Sequence, residues 1–131
     1  MNDDFQKVKN YILELDYSIS LENEDEGIIV VDREESGIKN LVIGIADPML
    51  IMEQYLFDIG NESAEVFRSL LQKNRDIIFG AFALDESGKR IIFRDTLALE
   101  NLDLNELEGS FNSLTLLLSE YSDEIIKFSK S

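Results

Sequence analysis

Residues 77–97 read IIFGAFALDESGKRIIFRDTL, two apolar runs either side of Asp85-Glu86-Ser87-Gly88. β-branched and aromatic residues around a short Asp/Ser/Gly turn are the pattern of an antiparallel hairpin. Ile77 to Leu84 is predicted as its first strand and Lys89 to Leu97 as its second. In the second strand Ile91, Phe93 and Leu97 share one parity, while Arg90, Ile92, Arg94 and Thr96 share the other. Such a strand has one core face and one wetter face.

The chain after the hairpin changes period. Leu104, Leu107, Phe111, Leu114, Leu118, Tyr121, Ile125 and Phe128 recur at alternating steps of three and four, the stripe of an amphipathic helix. Asp103 and Glu106 stand in capping-box spacing at its start, and Lys127 and Lys130 suit the negative end of its dipole. A helix from Leu104 to Lys130 is roughly 40 Å long. A domain of this length is roughly 36 Å across, so the helix spans the molecule. Leu116 and Ile126 fall off the stripe and are expected to leave apolar surface for a second subunit.

Before the hairpin, Phe5, Val8, Ile12 and Leu15 predict a first helix, with Asn2 or Asp3 as its cap. Tyr17, Ile19 and Leu21 alternate with polar residues as a strand; Ile28–Val31 is a second, and Leu41–Ala46 a third that is apolar on both faces. Asp47-Pro48 fits a helix N-cap followed by Pro at the first helical position, or a tight turn into a fourth strand. The shared parity of Met49, Ile51, Tyr55, Phe57 and Ile59 favours the strand. Asn61 then opens a short helix with Val66, Phe67, Leu70 and Leu71 on one face and Asn74 as a left-handed stop. The result is an α+β chain of one domain, residues 1–131: helix, antiparallel strands, helix, β-hairpin, long C-terminal helix.

Composition restricts function. Acids number 27 against 12 Lys plus Arg, a formal net charge of −15. A surface for nucleic acid or anionic membrane needs clustered cations, so neither is expected. The absence of Cys and His excludes disulfides, thiol nucleophiles, His triads and Cys/His zinc sites. Glu22, Glu24, Glu26 and Gly27 match the first half of a calcium loop, but its twelfth place, which needs a bidentate Glu, holds Arg33. Isolated glycines make no phosphate-binding loop. Lys89, Arg90 and Arg94 either dock an acidic group of a partner or offset Glu86 and Asp95. No catalytic residue, metal or cofactor is expected. The acidic start Met1-Asn2-Asp3-Asp4 is unlike a secretory signal, the apolar runs are too short to insert in a membrane, and the expected location is cytoplasmic.

The element order, with Leu70-Leu71-Gln72-Lys73-Asn74 closing the middle helix and Leu99-Glu100-Asn101-Leu102-Asp103-Leu104-Asn105-Glu106-Leu107 leading into the last, resembles the YbjN family and the class I type III secretion chaperones, including the Tir chaperone family. That resemblance covers nearly the whole chain. It implies a small acidic α+β sandwich, usually a homodimer, that binds an extended client segment against apolar patches. Four strands precede the middle helix where the secretion chaperones have three, which favours the YbjN side.

The expectation is therefore a non-enzymatic, chaperone-like adaptor, a homodimer that holds a segment of a protein client. The alternative is a cytoplasmic regulator in a stress or sensory pathway acting through a single protein partner. The residues expected at the dimer or partner surface are Leu41, Ile43, Ile45, Met49, Ile51, Leu116 and Ile126.

Overall fold

Apolar residues three and four apart wind the first segment into α1 (Asp3–Glu14), which buries Phe5, Val8 and Ile12. The structure, a computed structural model, describes residues 3–60 and 64–130. Asn2 and Asn61, expected to open the first and second helices, lie outside them.

Four strands follow: β1 (Ser18–Asn23), β2 (Ile28–Arg33), β3 (Ile38–Ala46) and β4 (Met49–Asp58). Then come α2 (Ala64–Asn74), β5 (Ala81–Leu84), β6 (Arg90–Ala98) and α3 (Leu104–Ser129). The strands form one antiparallel six-stranded sheet in the order β1-β2-β3-β4-β6-β5. Asp47-Pro48 is the turn between β3 and β4, so the alternative of a helix at this point is discarded.

The core lies on one face of the sheet. Ile29, Val31, Leu41, Ile43, Leu50, Met52 and Phe93 join Phe5, Val8 and Ile12 of α1, Val66 and Leu70 of α2, and Leu107, Phe111 and Leu114 of α3 in a single buried cluster. Each such side chain contributes roughly 1.5–3 kcal/mol by leaving water. All three helices thus serve the same face.

Two bulges break the parities read from sequence. The register shifts between Ile19 and Leu21, so Ile19 turns toward the core while Leu21 turns away and is exposed. It shifts again between Tyr55 and Phe57, leaving Tyr55 55% exposed and Phe57 3%. Met49, Ile51 and Tyr55 therefore do not share a face with Phe57; the core side of β4 is Leu50, Met52, Gln54 and then Phe57. One extra residue re-aims every side chain beyond it.

The first hairpin strand is shorter than predicted. β5 begins at Ala81, and Ile77–Phe79 form a loop. Gly80 has φ +79°, and the Ser113 hydroxyl accepts the Phe79 N–H at 3.2 Å and donates to its carbonyl at 2.7 Å. The last helix begins as predicted: the Asp103 side chain accepts the Glu106 N–H at 2.8 Å. Asp103→Ala should cost about 1 kcal/mol in urea unfolding, and a cost below about 0.3 kcal/mol would mean that the cap adds nothing. The helix buries Leu107, Phe111, Leu114 and Leu117, whereas Leu118, Tyr121, Ile125 and Phe128 are half-buried. Its 26 residues make it about 39 Å long. Lys73 of α2 secures the far half, with Nζ 2.5 Å from Glu124 and 5.2 Å from the Tyr121 ring centre.

Asn74 is not a left-handed stop, since its φ is not positive. It ends α2 as a helical residue, and its amide turns onto β5. Oδ1 accepts the Phe82 N–H at 2.8 Å and Nδ2 donates to the Phe82 carbonyl at 3.1 Å. The side chain thereby occupies the hydrogen-bonding positions that a further strand would need.

Candidate protein-binding surface

The face of the sheet away from the helices carries no member of the core cluster. Its rows follow from the strand register. Ala46, Met49 and Ala98 form one row; Ile28, Gly44, Ile51 and Thr96 the next; Leu21, Val30, Val42, Glu53 and Arg94 the third. Val42 and Leu21 are exposed, while Ile28, Val30, Met49 and Ile51 are half-exposed. The upper half of this face is an apolar field on β2, β3 and β4, outside the buried core cluster.

Gly44 sits inside that field, between Ile28 and Ile51. A Cβ placed there would meet only the Ile51 carbonyl oxygen, at 3.8 Å. The missing side chain leaves a notch in an otherwise β-branched surface.

The lower half is charged. Glu53 and Arg94 form an ion pair across β4 and β6, and Arg90 lies 3.8 Å from Asp58. The Tyr55 hydroxyl donates to Asp58 at 3.1 Å; desolvation, then that carboxylate, hold its phenol above its ordinary value. Of the basic residues singled out in the sequence, Arg90 and Arg94 are engaged by acids of β4, so they are not a free patch for an acidic partner.

The expected surface residues divide. Leu41, Ile43 and Ile45 are buried in the core, because from Leu41 onward β3 turns its odd-numbered residues to the helices. They cannot meet a partner at the protomer's surface, and their neighbours Val42 and Gly44 stand on the open face instead. Met49 and Ile51 are on that face. Leu116 and Ile126 are exposed on α3, 56% and 53%. They are not brought together with Met49 and Ile51, which stand on the other side of the sheet from α3. Leu21, Ile28, Val30 and Val42 were not singled out from the sequence; β2 reads Ile28-Ile29-Val30-Val31, apolar at both parities, so its open face is not marked by spacing.

Two polar groups in the interior serve packing. The Ser110 hydroxyl donates to Asp95 Oδ2 at 2.5 Å and ties α3 to β6. Gln54 accepts the Lys39 N–H at 3.0 Å and donates to the Gly37 carbonyl at 3.2 Å. In the acidic turn, Asn23 accepts the Glu26 N–H at 3.2 Å and Gly27 donates to the Glu24 carbonyl, the arrangement of a hairpin turn. Among the described residues no group of three acidic side chains is placed to hold a metal ion. No helix among them is long and apolar enough to cross a membrane.

Comparison with known proteins adds the following. The family model CesT_Tir_1 matches residues 1–131. The structure of YbjN from E. coli superposes with a TM-score of 0.71 at 10% identity, covering 92% of each chain. The chaperone–effector complex of HopA1 and SchA gives 0.63 at 10% identity, over 100% of this chain and 99% of that one. The Yersinia pestis type III secretion chaperone SycH, solved with a stable fragment of YscM2, gives 0.60 at 15% identity, over 96% and 99%. Among curated proteins no sequence match reaches significance. At these identities the solved structures establish the fold, a type III secretion chaperone-like α+β sandwich.

Proposed function

The chain belongs to the CesT_Tir_1 family, and from that premise we propose that it is a non-enzymatic, chaperone-like adaptor holding a segment of a partner protein on the open face of its sheet. The observation that carries this is the apolar field around Gly44, lined by Met49, Ile51, Val42, Ile28 and Val30, on the face that the helices leave bare. The SchA and SycH structures are chaperones solved with protein partners, which supports the same kind of occupant here. An extended segment lays alternate side chains on such a surface, and one of them fits the Gly44 notch. Met49 and Ile51 are contact residues in this proposal.

The working unit we propose is a cytoplasmic homodimer, with the exposed Ile126 of α3 in the contact between subunits. Light scattering that returns 15.0 kDa at micromolar concentration rejects the dimer.

The partner-binding proposal is tested by affinity capture from the native host. Wild type should recover a defined partner, and Ile51→Asp and Gly44→Val should each lose it. Both positions are on the open face, so each variant should unfold within about 0.5 kcal/mol of wild type. Equal recovery by all three proteins, or no recovery by wild type, rejects the proposal.

A further inference from the structure

A second apolar surface lies on the helical layer, across the sheet from the Gly44 notch. The loop joining α2 to β5 leans on the middle of α3 and encloses a groove of about 240 Å³. Its apolar lining includes Ile78, Phe79 and Leu116. Ile78 is 75% exposed and Phe79 46%. Ser113 holds Phe79 through both its N–H and its carbonyl. The Phe79 ring also lies on Gly109, where a Cβ would be 3.1 Å from Cε2. Glycine inside a helix costs about 0.5–1 kcal/mol relative to alanine; here its lack of a side chain lets the ring lie against the helix. The loop is thus fixed in place with its apolar tip outward.

The charged residues lining the groove are Asp76 and Glu120, with no lysine or arginine among them. Lys73, which lies over the Tyr121 ring at the same end, is engaged by Glu124. Burial first, then the carboxylates of Glu120, Asp76 and Glu124, push the Tyr121 phenol above its ordinary value, consistent with a negative rim. A second copy that presented the same rim here would set Asp76 and Glu120 against like charge.

We propose that the groove of Ile78, Phe79 and Leu116 seats an apolar side chain of a partner segment that is flanked by lysine or arginine. The apolar anchor fills the space against Leu116 and Phe79, and the flanking cations face Asp76 and Glu120. This surface is independent of the open sheet face and can be occupied at the same time.

The probe is a synthetic peptide with Leu-Phe between pairs of lysines, titrated by fluorescence anisotropy onto the full chain. A control peptide replaces every lysine by glutamate. The lysine peptide should bind with an affinity that falls as salt rises, and the glutamate peptide should not bind. Ile78→Asp should weaken the lysine peptide about tenfold or more, as expected for a central apolar contact. Asp76→Asn combined with Glu120→Gln should weaken it and flatten its salt dependence. Ile51→Asp should leave it unchanged, which separates this groove from the sheet face. Equal affinity for both peptides, no binding of either, or loss with Ile51→Asp and not with Ile78→Asp overturns the proposal. Self-association of wild type that Ile78→Asp abolishes also overturns it, because the occupant is then a second copy.

Discussion

Phe111→Ala is expected to remove about 3–5 kcal/mol of stability, the usual cost of truncating a fully enclosed aromatic ring. Phe111 has no solvent exposure, and its ring centre lies 4.4 Å from that of Tyr17. It stands where α3 crosses the core, between Leu107 and Leu114, which are equally enclosed. Alanine there loses the transfer energy of the ring and leaves a cavity that the flanking side chains cannot close without moving α3. Domains of this size have about 5–15 kcal/mol in all. The melting temperature should fall by on the order of 10–20 °C. Urea unfolding gives the free energy directly; a loss under about 1 kcal/mol would show that α3 resettles over the gap.

The second large effect is expected at Gly80. Its φ of +79° lies in the left-handed region, and a Cβ there would be 2.5 Å from Phe93 Cζ and 2.6 Å from Cε1. Phe93 is itself fully buried, so its ring cannot swing away into solvent. Gly80→Ala combines backbone strain of about 1–2 kcal/mol with overpacking of about 1–3 kcal/mol. A loss of about 2–5 kcal/mol in urea unfolding is expected. A loss below about 0.5 kcal/mol would mean that the loop can shift away from Phe93. The same variant should loosen the loop bearing Ile78, seen as faster amide exchange at Phe79.

Much of the architecture was legible in the sequence because it rests on periodicity. The α3 stripe, its Asp103 cap, the parity of β6 and the strand after Asp47-Pro48 all follow from spacing and local chemistry. What escaped involves displacement by one residue or a tertiary bond. The bulges at Ile19/Leu21 and Tyr55/Phe57 have no local signature, yet they decide which side chains face the helices. The run Ile77–Phe79 has strand composition, yet Phe79 is bonded to Ser113, thirty-odd residues away, and Gly80 turns left-handed after it.

The surface was less legible than the fold for the same reason. Leu41, Ile43 and Ile45 are large apolar residues of β3, and a buried face selects such residues as strongly as a docking face does. Exposure depends on which face the helices take, and sequence spacing alone does not set it. Met49 and Ile51 reach the open face through the register of β4 on β3. Gln54 is a polar residue on the core side of β4, with Leu50, Met52 and Phe57, and its burial is possible because its amide has partners at Lys39 and Gly37.

The side-chain amide of Asn74 sets a limit on how this molecule can polymerise. Open-ended fibrils built by lateral strand addition require two unfinished borders on every unit, one to accept and one to offer. At Phe82 a strand added to the β5 border has to displace the Asn74 amide, while β1 is the other border of the sheet. Two molecules joined through β1 would close on each other as a finite pair.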